Sequence, residues 1–117
     1  MREDGDYAHH EAALRKAVQA LGCHVTSNMT SLVVLNLPPA VAGREKELVQ
    51  MCRERGFGIW PTLSEPVQVR IGILNQLSEA AITDIVERFA AAMNEMGAGA
   101  DAGAAREALR EHYVARM

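Results

Sequence analysis

The 117-residue sequence is poor in aromatic side chains and has no excess of positive charge. Phe, Trp and Tyr together make up 4% of the chain, so it offers few of the stacking platforms on which single-stranded nucleic acids bind. The formal net charge is −3, whereas nucleic-acid-binding domains are typically basic. We therefore expect no nucleic-acid partner.

Lysine is also scarce, because it occurs as Lys16 and Lys46 while the other basic residues are arginines. A mechanism that needs a lysine nucleophile has no further candidates in this sequence. Lys16 falls off the apolar stripe of a predicted helix, and Lys46 stands between two glutamates in another. Both patterns are typical of solvated surface lysines.

The sequence has no long hydrophobic run and no secretory signal. Its longest apolar run, Leu32-Val33-Val34-Leu35, has the length of a strand, well short of the ~18 apolar residues that a membrane span requires. The acidic, polar start is not followed by an apolar segment. We expect a soluble, cytoplasmic protein with no membrane partner.

Cysteine and histidine are present without the spacing of a metal site. The adjacent Cys23 and His24, the distant Cys52 and the pair His9-His10 do not form a zinc-ligand pattern, so no metal is predicted. With no signal for export, two cysteines do not indicate a disulfide framework. We interpret the cysteines as buried thiols and the histidine pair as solvated residues at a helix start.

Hydrophobic periodicity predicts an α+β fold, in which a small antiparallel or mixed β-sheet is covered on one face by helices. Helices are predicted at 7–21, 41–55 and 79–96, with Ser78 as the N-cap of the third, and strands at 23–25, 30–37, 57–60 and 67–74. We divide the chain into a domain at 1–97, a flexible linker at 98–103 and a C-terminal helix at 104–117. The thin apolar stripe of that last helix suits a partner-docking segment.

Arg70 is the candidate binding residue, in the middle of the predicted strand 67–74. Val69 and Ile71 point to one face of this strand, and Arg70 and Gly72 point to the other. An arginine on a rigid strand suits two-pronged recognition of a carboxylate, and Gly72 removes a side chain that would crowd the ligand. The alternative is an exposed arginine that pairs loosely with a glutamate.

Several segments resemble the C-terminal small domain of class V, fold-type I pyridoxal-phosphate aminotransferases, the alanine–glyoxylate and pyridoxamine–pyruvate group. The segments are Ala20-Leu21-Gly22, the hydrophobic strand at 31–38, Arg53-Glu54-Arg55-Gly56-Phe57-Gly58-Ile59 and the motif Arg70-Ile71-Gly72. In order of elements, the resemblance extends over residues 8–96. The family usually continues R-I-G-H-M-G, whereas Ile73-Leu74-Asn75 follow here.

The resemblance implies that Arg70 binds the substrate carboxylate, and it assigns no catalytic or cofactor-binding residue to this chain. The family's large domain, which holds pyridoxal phosphate and the Schiff-base lysine, has no counterpart here. We therefore expect the small subunit of a split aminotransferase, or of a related pyridoxal-phosphate enzyme, acting on a small amino acid and keto acid. A large subunit would supply the cofactor, in a heterodimer or a dimer of heterodimers, and the segment 60–66 would line the entrance or merely connect two strands.

A different class of function also fits a small α+β chain. It would be a stand-alone regulatory module that binds a small molecule, or a protein-interaction module without catalysis.

Overall fold

The computed structural model describes residues 2–26, 32–56, 59–62, 67–72 and 78–116. The elements follow the predicted order along the chain: α1 (Arg2–Ala20), β1 (His24–Val25), β2 (Leu32–Asn36), α2 (Glu45–Glu54), β3 (Ile59–Pro61), β4 (Val69–Gly72), α3 (Glu79–Glu95) and α4 (Ala102–Arg116). A short 3₁₀ turn at Pro39–Val41 lies between β2 and α2.

The described strands form one antiparallel sheet in the order β1-β2-β4-β3. The two central strands, β2 and β4, pair with Val34 opposite Arg70, and β3 pairs on the other side with Trp60 opposite Arg70. Pro61 ends the edge strand β3, a place where the missing N–H of proline is tolerated. The α+β prediction is confirmed, and the sheet is antiparallel rather than mixed.

One face of the sheet belongs to the core. The alternating side chains on this face are at most 1% exposed: Val33, Leu35, Ile59, Val69 and Ile71. They pack in one cluster with the apolar sides of the helices. On the opposite face Val34 and Asn36 are half-buried, so β2 is fully buried on its core face and half-buried on the other.

The helices cover that buried face. Ile82, Phe89 and Met93 of α3 are fully buried, and the hydroxyl of Ser78 accepts a hydrogen bond of 3.1 Å from the backbone N–H of Ala81, as predicted for an N-cap. α4 packs against α1 and α3 of the same chain, with Ala105, Leu109 and Tyr113 buried. The division of the chain at 98–103 stays a prediction.

The second helix is shorter than its sequence pattern suggested. It was predicted over 41–55, but α2 begins at Glu45, because Gly43 has a left-handed φ of +88° that interrupts the helical backbone. Gly43 thus separates the 3₁₀ turn from α2. The first helix, in contrast, begins five residues earlier than predicted, at Arg2.

The prediction for the histidine pair is wrong for His10, which is 7% exposed. Its Nδ1 lies 2.7 Å from the hydroxyl of Tyr113 on α4. The apolar stripe of α1 gave no sign of this, because the covering residue lies 103 positions further along the chain.

Candidate functional site

Arg70 lies at the centre of the sheet face that points away from the core. It is half-buried on β4, between Val34 on β2 and Trp60 on β3. Its Nη2 donates a hydrogen bond of 3.0 Å to the carbonyl oxygen of Pro61, so β3 fixes the direction of the guanidinium. The mid-strand position inferred from the sequence is confirmed.

The guanidinium keeps unused donors in this position. Its Nε is buried and has no hydrogen-bond partner within the described part of the chain. Among these residues the ion pairs involve other arginines, so the alternative of a loose pair between Arg70 and a glutamate is not found there. A buried charged group without a full set of partners is costly, whereas a bound carboxylate would satisfy it.

Trp60 is the residue of this face that the sequence pattern did not single out. Its indole covers Gly72, since a Cβ atom on Gly72 would lie 3.0 Å from Cζ3 of Trp60 and 3.4 Å from Cη2. The room above Gly72 is therefore filled by the indole, rather than left open beside Arg70. The sequence feature that could have predicted this contact is an aromatic residue in one strand and a glycine in the neighbouring strand, a pairing known as aromatic rescue.

Other polar groups of this face are already satisfied. The side-chain amide of Gln68 donates to Oγ1 of Thr26 at 2.9 Å, and this hydroxyl donates to the carbonyl oxygen of Val34 at 3.3 Å. The backbone N–H of Gln68 donates to Oγ1 of Thr62 at 2.8 Å. Gln68 thus links the start of β4 to the ends of β1 and β3, which leaves Arg70 as the more available group for a ligand.

The cysteines do not contribute a reactive group. Both are free and buried, as interpreted from the sequence. Burial raises the pKa of Cys23 to about 12 and that of Cys52 to about 11, where nearby Arg55 lowers it in part. Thiols with such values are almost fully protonated at neutral pH and are poor nucleophiles and metal ligands. Nowhere in the described ranges are three or more His, Cys, Asp or Glu side chains arranged so that they could hold a metal ion.

Both lysines lie in the helical layer, on the other side of the sheet from Arg70. Lys16 on α1 and Lys46 on α2 are exposed, as their sequence setting predicted. The ammonium of Lys16 lies 3.1 Å from Nδ1 of His112 on α4. The helices that carry both lysines pack against the core face of the sheet, whereas Arg70 is on the opposite face.

The segment 60–66, considered as a possible entrance, is described as far as Thr62, and positions 63–66 lie outside the described residues. Across the part of the chain that the structure describes, no helix combines the length and the apolar character of a membrane span.

The antiparallel sheet with helices on one face is an arrangement that is also found in part of a solved aminotransferase structure. Neither a protein-family model nor a curated protein matches the sequence. Among solved structures, the chain is similar to ureidoglycine–glyoxylate aminotransferase from Bacillus subtilis, with a TM-score of 0.79 and 21% sequence identity. The similarity covers 93% of this chain but 30% of that one, so this chain spans less than a third of its neighbour's length.

Proposed function

We propose that this chain is the small subunit of a split pyridoxal-phosphate-dependent aminotransferase and that Arg70 binds the carboxylate of the substrate. The observation that carries the proposal is the half-buried guanidinium of Arg70, with a buried, unpartnered Nε, on the open face of an aminotransferase-like small domain. A substrate would be a small amino acid or keto acid.

Arg70 would act by orientation. One N–H of its guanidinium is occupied by the carbonyl of Pro61, which leaves further N–H groups for a two-pronged contact with a carboxylate. Because β4 is a central strand of the sheet, the contact would be rigid. A carboxylate fixed in this way holds the Cα–H bond of the substrate in one direction for proton transfer.

Pyridoxal phosphate, when bound, supplies an electron sink that stabilises negative charge at the substrate Cα. The described residues of this chain do not fit its covalent attachment, because Lys16 and Lys46 are exposed and lie across the sheet from Arg70. The proposal therefore places the Schiff-base lysine and the cofactor in a separate large subunit. That subunit would cover the open face of the sheet, in a heterodimer or a dimer of heterodimers.

Co-purification tests the split arrangement. The chain would be co-expressed with a candidate large subunit that resembles the cofactor-binding domain of an aminotransferase. We expect a stable complex with the visible absorption of bound pyridoxal phosphate and with transaminase activity toward glyoxylate, the compound in the neighbour's name, or another keto acid. A chain that forms no such complex, and that binds an amino acid alone, would instead be a regulatory module.

Arg70→Ala tests the role of the arginine in the assembled complex. Loss of a charged two-pronged contact costs about 2–4 kcal/mol, so kcat/KM for the amino acid should fall about 30- to 700-fold while assembly is retained. Arg70→Lys, which keeps the charge without the fork, should recover only part of the loss. Arg53→Ala, on the exposed surface of α2, is the matched control and should leave kcat/KM unchanged. Equal kinetics for Arg70→Ala and the control would remove Arg70 from the mechanism.

A further inference from the structure

Three of the four histidines of the chain gather where α1 meets α4, away from the proposed substrate face. His9 and His10 lie on α1, and His112 lies on α4 beside Tyr113. The hydroxyl of Tyr113 is 2.7 Å from Nδ1 of His10. The proposed function does not use these groups.

The hydrogen bonds of His112 define its protonation state in the packed structure. Its Nε2 lies 2.9 Å from the backbone carbonyl oxygen of His9, and since a carbonyl oxygen only accepts, Nε2 carries a hydrogen. Its Nδ1 lies 3.1 Å from Nζ of Lys16, and since an ammonium group only donates, Nδ1 is the acceptor. A ring that donates at one nitrogen and accepts at the other is neutral.

A proton added at Nδ1 would remove the bond to Lys16 and place two positive groups next to each other. The ring of His112 also stacks on that of His9, with centroids 4.2 Å apart and planes at 25°, so a positive charge on His9 would add to the repulsion. From α3, the charged contact with α4 is between Glu87 and Arg106, six residues before His112 and so about 9 Å away along the helix axis. That glutamate is too distant to compensate the new charge directly. On α1 the carboxylate of Glu11 pairs with Arg15, and on α4 Glu107 pairs with Arg110 while Glu111 is exposed to solvent.

We propose that His112, Lys16 and His9 form a pH-sensitive latch, in which protonation of His112 loosens α4 from α1. The proton comes from solvent, and the acceptor lone pair of Nδ1 becomes an N–H group. Histidine side chains ordinarily change charge between pH 5 and 8, the range in which the latch is tested. Loosening would expose the apolar side of α4, including Leu109 and Tyr113, both buried when the latch is closed.

Hydrogen exchange of the α4 backbone amides in the full chain tests the latch, at pH 7.5 and pH 5.5 and after correction for intrinsic exchange rates. We expect the protection of α4 to fall about tenfold at the lower pH, the consequence of a like-charge contact near the protein surface. His112→Gln keeps an N–H donor for the carbonyl of His9 but cannot take up a proton, so the protection of the α4 amides in this variant should be nearly independent of pH. His24→Gln is the matched control, because His24 is exposed on β1, and it should behave like the original chain.

Lys16→Met provides a second variant in case His112→Gln destabilises α4 at both pH values. It removes the ammonium group without changing the ring, and we expect it to reduce the loss of protection at pH 5.5 by at least half. Full pH dependence in Lys16→Met, or in a folded His112→Gln variant, would overturn the proposal. Equal protection of α4 in the original chain at both pH values would overturn it as well.

Discussion

The contact between Trp60 and Gly72 predicts an unusual result for the substitution Gly72→Ala. Two effects oppose each other. Replacing a strand glycine by alanine reduces the entropy lost on folding and stabilises by about 0.5–1 kcal/mol. The new methyl group, however, would lie 3.0 Å from Cζ3 of Trp60, and overpacking of this kind costs about 1–3 kcal/mol.

Trp60 decides the balance, because it is 39% exposed and lies on the edge strand β3, where its ring can tilt toward solvent. We therefore place the overpacking cost at about 1.5 kcal/mol, in the lower half of its range, and after the gain of about 0.5–1 kcal/mol we expect Gly72→Ala to lower the free energy of unfolding by about 0.5–1 kcal/mol. In the background Trp60→Val the obstruction is gone. There the same substitution should raise the free energy of unfolding by about 0.5–1 kcal/mol.

Urea denaturation followed by far-UV circular dichroism measures this cycle of four proteins, since the signal does not depend on the indole. Trp60 is the single tryptophan of the chain, so the red shift of emission expected for Gly72→Ala reports this ring alone. Gly103→Ala, at an exposed position of α4, is the control and should leave the emission unchanged. Equal destabilisation by Gly72→Ala in both backgrounds would refute the reasoning.

Two further predictions concern the core and the thiols. Leu109→Ala, at a 3% exposed position between α4 and its neighbours, should lower the free energy of unfolding by about 2–5 kcal/mol. Val114→Ala, at a 55% exposed position of the same helix, should change it by less than about 0.5 kcal/mol. Thermal or urea unfolding would measure both variants, and similar values would contradict the packing of α4. The raised pKa values of Cys23 and Cys52, about 12 and about 11, predict slow reaction of the folded chain with a thiol reagent at pH 8 and fast reaction in denaturant. They also predict that the free energy of unfolding falls as the pH rises from about 9 through 11, because the folded state holds the thiol protons more tightly than the unfolded chain. Rapid labelling of the folded chain at pH 8 would disprove the burial of both groups.

The part of the fold that was predicted from the sequence depends on local patterns. Alternation in the strand around Arg70 identified the buried and the open face, because successive side chains of a strand point to opposite sides. Ser78 was predicted as an N-cap because a serine before a helical pattern can accept a hydrogen bond from the first turn, and its hydroxyl does accept one from the N–H of Ala81. Such features need no knowledge of the rest of the chain.

The features that were missed depend on contacts between distant segments. The burial of His10 requires α4, and the position of the indole over Gly72 requires the register between β3 and β4. The late start of α2, after the left-handed Gly43, is a third case, since a glycine inside a helical pattern is often tolerated. In the candidate site, the sequence therefore identified Arg70, but it did not identify the indole of Trp60 or the carbonyl of Pro61 that surround its side chain.

The packing of α1 against α4 also bears on how the chain folds during synthesis. α1 is synthesised before α4, yet α4, at Ala102–Arg116, packs against its apolar side. The central pair of the sheet likewise joins β2 to β4, with α2 and β3 between them in sequence. Native contacts of such long sequence separation slow folding and delay its completion, so a nascent chain would hold part of α1 unpaired until α4 has been synthesised.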